Sequence, residues 1–139
     1  MSATSAENPP AIQNISPIFI GVAAWLVPGL GHIILRRWAR GIAFFAAIGG
    51  LALMSYHLRG VIFSVLPPVD PRADPLAFLG AVGDAGTGMF YFLSRVFERS
   101  GPDISRAAGD YGTRLFAAAG VANFLCIIDA CEIAIGRKR

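Results

Sequence analysis

The sequence predicts an all-α, polytopic helical membrane protein with three to four transmembrane helices, led by an N-terminal helical hairpin. Three observations predict it. Of 139 residues, 55% are hydrophobic and only 15% charged, where soluble domains run near 45–50% apolar and about 25% charged. Mean hydropathy is +0.58, and a domain of this size buries only about two-thirds of its unfolded surface, so water would face too much hydrocarbon. The apolar residues also gather into separate runs of the length a bilayer demands, about 20 residues at 1.5 Å rise. The lipid bilayer is therefore the expected partner.

The first run, residues 18–35 (IFIGVAAWLVPGLGHIIL), has ten Ile, Leu, Val or Phe residues and no formal charge with His32 neutral. Each such residue favours insertion by roughly 0.3–0.6 kcal/mol. The second run, residues 41–58 (GIAFFAAIGGLALMSYHL), follows after only five residues, RRWAR, and so short a connection predicts two antiparallel helices. Prolines at 67, 68, 71 and 75 then forbid a regular helix and predict an extended linker. Residues 61–66 either prolong the second helix or lie at the headgroups.

The third run, residues 76–93 (LAFLGAVGDAGTGMFYFL), is marginal as a span. Its seven Leu, Phe and Val residues are offset by Asp84, which costs about 2.5–3.5 kcal/mol at a bilayer centre. It inserts if neighbours shelter Asp84, or it is re-entrant. A mixed-charge loop over 95–114 follows, with Asp103 or Ser105 as a cap for a short surface helix. The last run, residues 115–135, has nine strong apolar residues beside Asn123, Asp129 and Glu132 and reads as a span. Residues 18–139 thus form a single helical membrane domain. Residues 1–17, polar and without Lys or Arg, read as a disordered or extended tail rather than a cleaved signal, whose basic residues would precede the apolar stretch.

Charge placement supports this class. Twelve Lys+Arg against nine Asp+Glu give +3, and many of the bases flank apolar runs, the pattern of membrane topology rather than of a nucleic-acid footprint; no nucleic-acid partner is expected. Four spans with the N-terminus outside put 3 + 4 = 7 bases inside against 2 + 3 = 5 outside, and three spans give 3 + 3 = 6 against 2 + 4 = 6. The rule barely discriminates. Cys126 and Cys131 stand about 140° apart around a helix, which suits neither a disulfide nor a shared metal. They read as small apolar core residues.

Pro28-Gly29-Leu30-Gly31-His32 is the most distinctive stretch. Pro28 has no N–H for the Ala24 carbonyl, and the freed polar groups cannot face lipid. The spacing predicts a kink that tightens the hairpin, with His32 hydrogen-bonded near the headgroups or serving as a ligand or proton carrier. With Arg36, Arg37, Arg40 and Gly41 behind it, this stretch resembles an uncharacterised family of small bacterial integral-membrane proteins with a Pro-Gly-Leu-Gly-His hairpin, similar to the two-transmembrane-helix domain family. The stretch GVANFLCIIDA at 120–130 resembles that family's closing helix. The matching positions are Pro28, Gly29, Gly31, His32, Arg37, Arg40, Gly41, Gly120, Asn123, Leu125, Asp129 and Ala130, under half of the chain. Arg36 stands where a glycine is usual, and Cys131 where an aromatic often follows Asp-Ala. The resemblance implies a bacterial cytoplasmic membrane location and a topology, with no activity attached.

Asp84, Asn123, Asp129 and Glu132 are the candidate intramembrane polar site. Asp129 and Glu132 share a helix face at i, i+3, while Asn123 lies about 120° away from Asp129. The carboxylates are either interfacial and paired with bases, or they serve ions, protons or a partner helix. The glycines around Asp84 fit neither a phosphate loop nor a dinucleotide fingerprint. Like Ala46/Gly50 and Ala118/Ala122, they suit close helix packing. With two histidines in the chain and no nucleophile elbow or HExxH, no catalytic residue, metal site or cofactor is expected. The expected function is a non-enzymatic scaffold or accessory subunit, acting in a homo-oligomer or membrane complex; the alternative is an oligomeric ion- or proton-conducting component.

Overall fold

The computed structural model describes residues 15–63, 70, 72, 74–97 and 107–137; their regular structure is helical throughout, with no strand. In chain order the helices are α1 (Pro17–Leu26), α2 (Leu30–Ile34), α3 (Trp38–His57), α4 (Pro75–Gly86), α5 (Met89–Phe97) and α6 (Ala107–Ala134). Among the described residues only α3 and α6 are individually long and apolar enough to cross a membrane, at 20 and 28 residues; α4 and α5 add a third candidate only if the bent pair counts as one. Against the expected three to four spans, the described helices offer two or three candidates by length and composition.

The first run is not one continuous helix. Residues 18–35 make two helices, because Pro28 withholds an N–H from the Ala24 carbonyl and Gly29 turns left-handed at φ 83°. The break does far more than kink the chain. Along α1, Pro17 meets Cys131 and Trp25 meets Asn123. After the turn, His32 is back beside Asp129 and Gly31 beside Ala130. The chain descends along α6 and returns to the end it left.

From that end α3 runs the full length antiparallel to α6. Arg40 approaches Asp129 at its start, and just past its end Gly60 lies on the backbone of Gly112. Arg59, at φ 52°, turns the chain inward so that the Val61 N–H donates to Thr113 Oγ1 at 2.8 Å and the Phe63 N–H to Asp84 at 2.7 Å. Residues 61–63 therefore neither extend α3 nor leave the bundle.

The third run is likewise two helices, bent by 103° at Thr87-Gly88. Asp74 opens α4, its Oδ1 accepting the Ala77 N–H at 2.9 Å, and Pro75 follows at the first helical position. Contacts of Gly83 with Ala117 and of Gly86 with Phe124 make α4 parallel to α6. Gly88, at φ 62°, reverses the chain. Phe90 then packs against Gly49, and the Tyr56 hydroxyl donates to the Phe97 carbonyl, so α5 returns toward the end where α4 began. The fourth run is longer than expected: 107–114 continue α6 in place of a loop. Residues 1–14, most of the proline-rich linker, and Asp103 and Ser105 lie outside the described residues.

The halves 17–57 and 75–134 thus repeat one plan, a broken helix that doubles back followed by a long helix, entering from opposite ends. Small residues let the elements touch. Gly83 and Gly120 bring α4 and α6 together backbone on backbone, and the buried core consists of Ile20, Ala24 and Ala130 on one side and Ile48, Ala119 and Cys126 on the other. Ile42, Leu53, Val121, Leu125 and Ile128 face outward. Within the apolar windows of α3 and α6 only 28% and 33% of the residues are buried, a surface that hydrocarbon tolerates and water does not. These features point to an integral membrane protein.

Candidate functional site

The two reversal points meet midway along α6, and Asn123 joins them. A helix ends with carbonyls that lack intrahelical partners, and α1 and α4 aim such ends at each other. Asn123 is fully buried; its Nδ2 donates to the Gly86 carbonyl at 2.8 Å and the Trp25 carbonyl at 3.3 Å. Trp25 Nε1 crosses back to the Ala85 carbonyl at 3.0 Å, and Thr87 Oγ1 donates to the Asp84 carbonyl at 2.6 Å. Gly88 fits because a Cβ there would collide with the Trp25 carbonyl. The arrangement satisfies broken backbone inside an apolar body, where each orphan costs several kcal/mol. Asn123 Oδ1 has no hydrogen-bond partner among the described residues.

A second polar group lies nearer the C-terminal end of α6. His32, fully buried, places Nε2 3.0 Å from Asp129 Oδ2. A carboxylate only accepts, so Nε2 carries a proton, and in the neutral ring Nδ1 is left to accept from the Cys126 thiol 3.7 Å away. The Phe44 ring lies 5.0 Å from the imidazole. Arg40 stands 3.9 Å from the same Asp129 oxygen and is half exposed. This is a charged cluster at one end of the bundle, wired to a buried imidazole. Glu132, on the next turn of α6, is half-buried.

Asp84 belongs to neither group. It is fully buried; Oδ2 accepts the Phe63 N–H at 2.7 Å, while Oδ1 has no partner among the described residues. The four candidate polar residues are therefore distributed: Asn123 at the reversal points, Asp129 with His32, Asp84 against 61–63, and Glu132 on α6.

The hairpin motif residues have distinct places. Pro28 and Gly29 make the break, and the Gly29 turn packs on the Gly41 backbone. Gly31 lets α2 settle on Ala24 and Ala130. Arg37 precedes α3, its N–H donating to the His32 carbonyl at 2.8 Å. Both cysteines are free. Among the described residues no group of three or more His, Cys, Asp or Glu side chains could hold a metal ion. Local sequence does not mark Trp25, Thr87 or Cys126 as polar partners. Thr87-Gly88 repeats the break-then-glycine order of Pro28-Gly29, and that was the available signal.

Comparison with known proteins adds one match. The profile of a family of unknown function, DUF6677, matches residues 19–139, and the chain belongs to that family. No curated protein and no solved structure matches it.

Proposed function

We propose that this DUF6677 chain is a non-enzymatic scaffold or accessory subunit of the bacterial cytoplasmic membrane, acting through helix–helix contacts. In this reading α3 and α6 cross the bilayer, and the pairs α1–α2 and α4–α5 are re-entrant from opposite faces. Their broken backbone is tolerable because protein, not lipid, surrounds it. The described bases divide evenly, with Arg36, Arg37, Arg40 and Arg137 at one end and Arg59, Arg72, Arg95 and Arg114 at the other, so the positive-inside rule assigns no orientation.

One observation carries the reading. A groove of about 480 Å³ runs between α3 and α5, walled by Phe45, Leu53, Phe90 and Leu93 and floored by Gly49 and Gly50. A Cβ at Gly50 would meet nothing within 4 Å, and Ala46 one turn earlier is also exposed. Among the described residues nothing fills this small-xxx-small face at Gly50, and in membranes such faces let a second helix approach closely. Gly50→Leu places its side chain in the groove, where the Cβ has open space. The expected result is loss of detergent-resistant association with unchanged helix content. Association and cellular phenotype both unchanged would reject the proposal.

A second reading, an oligomeric ion- or proton-conducting component, draws on the buried Asp84 and Asn123, each with an oxygen lacking a partner among the described residues. Intramembrane carboxylates are costly and commonly line ion or proton paths. Flux into liposomes that falls in Asp84→Asn and Asp129→Asn would support it. No flux by the wild type across a range of pH would remove it.

A further inference from the structure

A depression of about 430 Å³ opens between α3 and α6, lined by Arg40, Ala43, Phe44, Ala47 and Asp129. Its α3 residues fall at i, i+3, i+4 and i+7, one helical stripe, so its floor descends about 10 Å from a charged mouth into an apolar channel. Ala43 and Ala47 are exposed, and their small side chains leave the channel open. At the mouth the guanidinium of Arg40, 51% exposed, and the carboxylate of Asp129, 23% exposed, sit 3.9 Å apart. The buried His32 holds Asp129 in place from behind, and Arg36 is exposed just before α3.

A neighbouring cation and anion above an apolar slot are complementary to a molecule with a phosphate, an adjacent ammonium and a hydrocarbon tail. We propose that this depression binds one aminophospholipid, with its phosphate on Arg40, its ammonium on Asp129 and an acyl chain along Ala43 and Ala47. Asp129 makes the site selective. It repels a purely anionic headgroup, and a trimethylated ammonium has no N–H to give its carboxylate, whereas a primary ammonium forms a charge-assisted hydrogen bond. The proposal rests on the membrane reading above but not on the scaffold role.

The test is native mass spectrometry of the delipidated protein in mild detergent, titrated with phosphatidylethanolamine, phosphatidylcholine and phosphatidylglycerol of identical acyl chains. The wild type is expected to retain the ethanolamine lipid about tenfold better than the choline lipid, the worth of one hydrogen bond to a charged group. Asp129→Asn should erase that difference, and Arg40→Gln should weaken all three lipids. Ala47→Trp, at an exposed position that leaves the His32–Asp129 pair intact, should block the channel and lower retention of all three. Equal retention of the three headgroups by the wild type, preference for phosphatidylglycerol, or undiminished binding by Ala47→Trp would overturn the proposal. A protein that stays folded and monodisperse without detergent would instead overturn the membrane reading on which it rests.

Discussion

Gly120→Ala is the sharpest perturbation of the packing that joins the two halves. A Cβ on Gly120 would collide with the Gly83 carbonyl oxygen and lie 2.7 Å from its carbon. The oxygen is the closer of the two, and opening that contact to about 3.2 Å requires α4 to retreat by about 1.5 Å. Both colliding atoms are backbone, and no side chain can rotate away. The Asn123–Gly86 hydrogen bond, 2.8 Å long, would then stretch to about 4 Å or more, beyond bonding range. Overpacking costs about 1–3 kcal/mol and the lost bond about 1 kcal/mol, so about 2–4 kcal/mol is expected in total. Gly50→Ala is the matched control; with nothing within 4 Å of its Cβ, it should be neutral or stabilise by up to about 1 kcal/mol through helix propensity. Reversible unfolding in mixed detergent micelles, followed by circular dichroism, measures both. A Gly120→Ala protein within about 0.5 kcal/mol of wild type, the ordinary range of surface substitutions, would refute the backbone-on-backbone contact.

Other substitutions probe separate features. Arg36 adopts φ 60°, so Arg36→Gly should stabilise the fold by about 1 kcal/mol, read as a higher melting temperature in detergent; a fall would show that the side chain holds the turn. Asn123→Leu removes the donor that serves both reversal points and should cost about 1–3 kcal/mol in the same unfolding assay, with no change expected if those carbonyls find other partners. On a background lacking Cys126 and Cys131, single thiols replacing Ser16 and Arg36 should label from the same face of intact cells and one replacing Arg72 from the other. Opposite labelling of the first two would restore residues 18–35 as a full crossing.

Much of this architecture could be read from residue order, and the remainder depended on contacts distant along the chain. Pro28 and Gly29 marked a break, because a missing N–H and a residue free to take positive φ are local properties. The direction after the break was not local, since it is set by Gly29 packing on Gly41 and Gly31 on Ala130. The resemblance implies a glycine at position 36, likewise a backbone signal, and Arg36 occupies the left-handed region at φ 60°. The angular separation of Asn123 and Asp129 on one helix anticipated that they face different surroundings. Their partners, Trp25, Gly86 and His32, come from elements whose approach only the folded chain decides. Residues 107–114 carry Asp110 and Arg114, and charge made them resemble a loop; in the structure Gly109 and Gly112 are buried and Gly112 meets Gly60, so packing extends the helix despite the polar residues.

The link at Asn123 also constrains biosynthesis. Trp25 and Asn123 are separated by 98 residues, so at ~5–20 residues per second the first reversal point leaves the ribosome roughly 5–20 s before its amide partner. During that interval the Trp25 carbonyl must be kept from hydrocarbon by water, by an insertion machinery or by remaining outside the bilayer. With α1–α2 re-entrant as proposed, the N-terminal half settles at its final depth only once Asn123 arrives, and truncation ahead of residue 123 should leave a chain that stays in the hands of the insertion apparatus.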